Sequence, residues 1–137
     1  LTERVLLDTG PTVAILREAD EHHVRCVAQL RELQAPLLTC WPVLTEAAWL
    51  LRRHPAAITK LMAAFETGVF ELAPLDASDI ASIAAILNKY RTLGVQLADA
   101  ALLHLANRES IDAVFTLDRR DFEVFRLKGG KSLRLIP

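Results

Sequence analysis

Arg4-Val-Leu-Leu-Asp8, running directly into Thr9-Gly10-Pro11, is the stretch that decides the fold. Val5, Leu6 and Leu7 form an apolar run too short for a buried helix, so residues 4–8 read as a short strand ending in a carboxylate. Pro11 falls where the first turn of a helix tolerates proline, and a short helix is expected over Thr12 to Glu18. The same grammar repeats outward from this point. Val24, Val27, Leu30 and Leu33 recur at three-residue steps and predict an amphipathic helix from His22 to Leu33, closed by Pro36. Leu37 to Thr39 reads as a second strand, Pro42 opens a helix over Val43 to Arg53, and Ala56 to Glu66 is another helix. Val69 to Leu72 is a third strand. Asp76 caps a helix reaching Tyr90 with Ile80, Ile83, Ile86 and Leu87 along one face. After Gly94 come an apolar helix from Gln96 to Arg108 and strands at Asp112 to Leu117 and Leu133 to Ile136. Strands separated by helices favour a parallel sheet covered on both faces, an α/β sandwich.

The chain of 137 residues is 52% hydrophobic and 24% charged, which excludes a disordered polymer and fits a single domain over residues 1–137. Its mean hydropathy is +0.25, yet no uncharged apolar stretch approaches the ~18 residues of a membrane span. Glu3 and Arg4 interrupt the first apolar segment, so a secretory signal is not expected. Cys26 and Cys40 make neither a disulfide framework nor a CxxC metal site and read as buried thiols of a reducing, cytoplasmic protein. The 16 basic residues against 17 acidic ones leave a formal charge of −1, so the whole molecule does not advertise nucleic-acid binding. The last twenty residues differ. Arg119, Arg120, Arg126, Lys128, Lys131 and Arg134 there outnumber Asp118, Asp121 and Glu123, a local excess that is able to hold phosphates. Solvation of an ordinary surface is the competing reading.

Four acids sit in apolar company: Asp8 after VLL, Glu46 within VLTEAAWLL, Asp99 within QLADAALLHLA, and Asp118 after AVFTL. An unpaired buried carboxylate costs several kcal/mol, so four of them call for a compensating positive charge. In an open parallel sheet ligands gather beyond the carboxyl ends of the strands, where Asp8 and Asp118 fall. Glu46 and Asp99 lie about one turn into helices that start at that edge, so the four are expected around one pocket. Oxygen-only ligation without His or Cys suits Mg²⁺ or Mn²⁺ rather than Zn²⁺, and phosphodiester hydrolysis is the natural chemistry. Purely structural roles compete at each position: a helix cap for Asp8, ion pairs for Glu46 and Asp99, a turn for Asp118, and a helix start or turn for Asp121.

Other motifs fail. GGKS at Gly129 to Ser132 has Phe125 where a phosphate-binding loop needs its first glycine. LLDTGPT slightly suggests a dehalogenase-type phosphatase, but Gly10 stands where the second acid is required. His22 and His23 are adjacent and point apart on a helix, His54 sits at a helix end, and His104 reads as a satisfied core histidine. Trp41 and Trp49 are core or dimer-interface candidates before they are base-stacking platforms.

Taken together, LLDTGP, LTEAAWLL, LADAALLHLA and FTLDRRDF resemble the PIN-domain ribonucleases, in particular the VapC-type toxins of prokaryotic toxin–antitoxin pairs. The resemblance covers nearly the whole chain and includes the order and spacing of the acids. It implies a PIN-like three-layer sandwich with a mainly parallel central sheet. It implies Asp8, Glu46, Asp99 and Asp118 as a catalytic and metal-binding quartet holding one or two Mg²⁺ or Mn²⁺ ions for hydrolysis of RNA. Asp121 is a further acid that such proteins sometimes place near the metal, and Thr116 and Thr9 occupy polar positions able to orient a ligand. The resemblance also implies a homodimer and a small antitoxin partner. A PIN-like scaffold that binds RNA or protein without hydrolysis, and a nuclease acting on DNA, are the alternatives.

Overall fold

The computed structural model describes residues 3–137; Leu1 and Thr2, the first residues of the expected domain, lie outside the described residues. Five short strands form one sheet: β1 (Leu6–Leu7), β2 (Leu37–Thr39), β3 (Phe70–Leu72), β4 (Ala113–Phe115) and β5 (Arg134–Ile136). Their order is β3-β2-β1-β4-β5 and every pairing is parallel. Leu6 faces Leu38 on one side and Val114 on the other, which puts β1 at the centre with its carboxyl end over the middle of the sheet edge. Among the described residues, seven α-helices connect and cover these strands: α1 (Thr9–Leu16), α2 (His23–Glu32), α3 (Trp41–Leu50), α4 (Pro55–Glu66), α5 (Ile80–Lys89), α6 (Leu97–Glu109) and α7 (Arg119–Val124). No helix is long and apolar enough to cross a membrane, among the described residues.

Strand alternation sorts the apolar side chains into two cores. Leu6, Leu38 and Val114 point to the face covered by α5, α6 and α7, where Leu102, Leu103, Phe122 and Phe125 are buried. Leu7, Leu37 and Phe115 point to the opposite face, against Ala14 of α1, Cys26 of α2, Leu44 of α3 and Leu61 of α4. The result is the expected three-layer α/β sandwich, with a sheet that is wholly parallel. Burying β1 on both faces explains its uninterrupted apolar run.

Several sequence expectations need correction. Val24 is 80% exposed and Ile80 63%, so neither belongs to the apolar face assigned to it; Cys26 occupies the buried position of α2 instead. Trp49 and Leu50 are likewise exposed. The helix expected from Asp76 begins as a 3-10 turn over 77–79, with Asp76 accepting from the Ser78 amide and Asp79 reaching back to the Asp76 amide. The largest omission is α7: the sequence offers a turn at Asp118 and a helix start or turn at Asp121, and the structure forms a helix there. Phe122, on α7, is fully buried and packs edge-on against Phe125 with ring centroids 5.2 Å apart. Phe122→Ala is expected to cost about 3–5 kcal/mol of stability in urea unfolding, and a loss below about 1 kcal/mol would contradict this burial.

Candidate active site

Two strand-to-helix junctions at the carboxyl edge of the sheet, β1–α1 and β4–α7, deliver an acid each, and α3 and α6 bring the others to the same cleft. Asp8 follows β1 and is the N-cap of α1; the Thr9 amide donates to its Oδ1 at 2.8 Å. Its Oδ2 accepts from the Thr116 hydroxyl at 2.7 Å. Thr116 lies just beyond β4, is buried, and its oxygen accepts from the Asp118 amide at 3.0 Å. One hydroxyl therefore ties two acid-bearing junctions 108 residues apart in the chain. Asp99 stands in the first turn of α6, while Asp118 and Asp121 occupy the N-cap and first turn of α7. Three helix N-termini thus face the carboxylates, and their amide dipoles supply part of the positive charge that clustered acids need.

All four predicted acids line one cleft of about 560 Å³, together with Thr9, Gly94, Gln96, Arg120 and Asp121. Carboxylate oxygens of Asp99, Asp118 and Asp121 lie within 4.8 Å of one another. Asp8 and Glu46 line the same cleft outside that tightest trio. The expectation that all four acids are buried is corrected. Asp8 and Asp99 are buried, Glu46 is half-buried and Asp118 is exposed. The chain sends Glu46 in from the side of α3 and places Asp118 at the solvent mouth.

The competing structural roles are resolved in part. Asp8 does cap a helix, and with its other oxygen it turns to Thr116. Neither Glu46 nor Asp99 forms an ion pair, among the described residues. Asp118 makes no side-chain cap bond to α7, so its carboxylate is free for the cleft. Asp121 is where sequence reasoning fell short. It is buried, its Oδ1 lacks a hydrogen-bond partner among the described residues, and the nearest cation, Arg120, stands 3.8 Å away on an exposed side chain. The D-x-x-D spacing from Asp118 to Asp121, an acid at the helix cap and another three residues on, was the available signal for a helix start.

Burial dominates the electrostatics. Asp99 is pushed up to about 7, first by burial and then by the charges of Asp8 and Asp118. Asp8 rises to about 6 through burial, held back by the Thr116 and Thr9 hydrogen bonds and raised further by Glu46 and Asp118. Glu46 is also raised by burial, tempered by the nearby Thr9 hydroxyl, although that hydroxyl has no partner at hydrogen-bonding distance among the described residues. Cys40 is pushed up to about 11 by burial, so it is no nucleophile at neutral pH. His104 is bound to Asp79 on the far part of α6 and takes no part in this cleft.

The donor set fits a hard divalent cation: carboxylate oxygens only, two orphaned buried oxygens on Thr9 and Asp121, and no ion pair at Asp8, Glu46, Asp99 or Asp118 among the described residues. Thr116 is the positioning group of this arrangement. Thr116→Val keeps the shape but leaves Asp8 Oδ2 and the Asp118 amide unpartnered, so cation affinity by calorimetry is expected to fall about 10- to 100-fold. An unchanged affinity would remove Thr116 from this role.

Comparison with known proteins places this arrangement. The profile of the PIN domain family matches residues 5–127, and the chain belongs to that family. Within it, the chain is 31% identical over 136 residues to Ribonuclease VapC26 of Mycobacterium tuberculosis, covering 97% of this chain and all of that protein. Two solved structures share the fold. Mycobacterium tuberculosis VapC20, a sarcin–ricin loop cleaving toxin, superposes with a TM-score of 0.75 at 19% identity, over 85% of this chain and 91% of its own. VapBC2 from Rickettsia felis, solved bound to a DNA fragment from its promoter, gives 0.62 at 13% identity over 96% of each chain.

Proposed function

We propose that this protein is a divalent-cation-dependent endoribonuclease and the toxin of a two-protein toxin–antitoxin pair. The observation that carries the reading is the cleft in which Asp8, Glu46, Asp99, Asp118 and Asp121 converge, four of them without a counter-ion, in a chain 31% identical to a ribonuclease along its whole length.

Asp8, Asp99 and Asp118 hold the cation, Mg²⁺ or Mn²⁺ as one or two ions, with Asp121 joining Asp99 and Asp118 from α7. A cation there supplies charge that makes water nucleophilic near neutral pH and offsets the negative charge growing on the phosphate. Hydrolysis forms one P–O bond to the water oxygen and breaks another, the leaving oxygen taking up a proton. Glu46, half-buried on the α3 side with its proton affinity raised, either binds the cation or takes the proton released by the water. Arg120, exposed at the rim, is placed to meet the RNA phosphates.

The partner is a small antitoxin, a reading supported by the Rickettsia felis VapBC2 structure. The protein forms a homodimer. Trp41, Trp49, Leu50 and Leu97 are each more than half exposed, and a groove beside the cleft is lined by Trp41, Trp49 and Leu97, an apolar surface that suits a second copy. Two buried free thiols suit the reducing cytoplasm.

The test is cleavage of total RNA by the purified protein with Mn²⁺ or Mg²⁺ against EDTA, with single-stranded DNA of equal length as the second substrate. Discrete RNA fragments only in the presence of cation support the reading. Cation binding without cleavage of either polymer favours an RNA- or protein-binding scaffold, and preferential cleavage of DNA overturns the choice of substrate.

A further inference from the structure

A second cavity, of about 250 Å³, lies between α5, α6 and residues 126–128 and shares no lining residue with the acidic cleft. Its floor is apolar, from Ile86, Leu103 and Leu127, and its polar wall includes Asn107. Lys89, Arg126 and Lys128 converge on it, and no carboxylate lines it. None of the three cations has an acidic partner within 4.0 Å among the described residues. The acid closest in the local bonding, Asp79, is already satisfied by His104 at 2.7 Å and Arg108 at 3.1 Å.

The segment that carries two of the cations is held in place through its backbone. The Tyr90 hydroxyl accepts from the Arg126 amide at 3.1 Å, and the Tyr90 ring packs on Phe125 with centroids 4.8 Å apart. Asn107 Oδ1 accepts from the Lys128 amide at 2.9 Å. The Arg126 guanidinium donates to the carbonyls of Glu123, Val124 and Phe125, which fixes its position without neutralising its charge. Arg126 rests on the carbonyls that end α7, and Lys89 stands in the last turn of α5 with its ammonium 5.3 Å from the Tyr90 ring, but no carboxylate lines the cavity beside any of the three cations. An anion in the cavity would offset them.

We propose that this cavity binds a nucleoside monophosphate unit, the base on the apolar floor and the phosphate among Lys89, Arg126 and Lys128. A volume just under the ~300 Å³ at which small-molecule pockets begin has room for one base rather than a larger ligand. The unit is either one residue of an RNA chain or a free nucleotide. The first source rests on the nuclease reading and the second does not.

The experiment is titration of the full chain with guanosine 5′-monophosphate, guanosine and inorganic phosphate by calorimetry and amide NMR. It is run in EDTA so that the acidic cleft holds no cation. Expected are amide shifts confined to residues near 86–90, 103–107 and 126–128, with guanosine and phosphate each binding at least about tenfold more weakly than the monophosphate. The Lys89→Glu/Lys128→Glu double variant, altered only at exposed positions, should lose at least about tenfold in affinity. Lys89→Ala/Lys128→Ala repeats the measurement if the reversal perturbs folding, and Asp99→Asn should bind like the unaltered protein. A single-stranded RNA oligonucleotide separates the sources. Affinity for it that falls in the double variant identifies a residue of the RNA chain, even if the mononucleotide alone binds weakly. Unchanged RNA affinity with mononucleotide binding retained in the unaltered protein identifies a free nucleotide. Shifts that map to the acidic cleft, or no response of either ligand to the lysine substitutions, overturn the proposal. Absence of RNA cleavage would refute the nuclease reading and leave these cation-free measurements standing.

Discussion

Asp99→Asn is expected to abolish cation-dependent RNA cleavage, by on the order of 10³-fold or more, while leaving the fold intact. The substitution keeps the volume and planar shape of the side chain, removes its charge and turns one acceptor oxygen into an NH2 donor. Asp99 sits in the first turn of α6 and is one of three acids whose oxygens lie within 4.8 Å of one another, with Asp8 close enough for its charge to act on it, so it is central to the proposed cation seat. Its burial makes the ionised form costly when no cation is present, as its rise to about 7 shows. Asparagine removes that cost. The metal-free variant should therefore melt no lower than the unaltered protein at pH 8, and a loss of activity there cannot be ascribed to unfolding. Cleavage of total RNA and thermal unfolding of the same preparation check both halves. A folded variant that still cuts RNA would take Asp99 out of the site and move the seat toward Asp8 and Glu46.

How far this site was readable without coordinates depends on what each acid's neighbours could betray. Asp8 and Asp99 interrupt apolar runs that had to be buried, so the anomaly was local and visible in VLLD and LADAALL. The parallel sheet was legible for the same reason: β1 and β4 are buried on both faces and read as unbroken apolar runs. Glu46 looked equally anomalous, but α3 lies at the flank of the sandwich and leaves Trp49 and Leu50 on the surface, so its apolar sequence overstated its burial. Val24 and Ile80 misled in the same way, since periodicity identifies a face without saying whether its outermost positions reach the core. Asp121 reads from the sequence as a helix start or a turn, because RRDFEV is too short and too charged to announce a helix outright. What makes it one is Phe122, anchored against Phe125 and the far core, a tertiary contact that local propensity does not contain. The basic excess at the C-terminal end was visible as composition. Its partition, with Arg120 at the acidic cleft and Arg126 and Lys128 at a different cavity, belongs to the fold.

Saturating Mn²⁺ or Mg²⁺ should raise the unfolding temperature strongly at pH 8 and little at pH 5. Asp8, raised to about 6, and Asp99, raised to about 7, hold protons in the fold that the unfolded chain releases near pH 4. A group whose proton is bound more tightly in the folded state favours folding at low pH and loses that contribution as pH climbs through the folded value. The metal-free protein therefore loses stability between about pH 4 and pH 7 as these two acids are forced to ionise. A divalent cation binds only the ionised acids, so it must displace those protons at pH 5 and finds the seat already charged at pH 8. At a cation concentration of about 100 times Kd the gain is about 2.7 kcal/mol, which for a chain of this size is a rise of roughly 10 °C. The two effects oppose each other in pH, so the unfolding temperature should fall with rising pH in EDTA and change far less with the cation present. Asp99→Asn should flatten the EDTA curve and shrink the cation response together, because one carboxylate supplies both. A cation-induced rise that is equal at pH 5 and pH 8, or that survives Asp99→Asn unchanged, would place the binding elsewhere than among Asp99, Asp118 and Asp121.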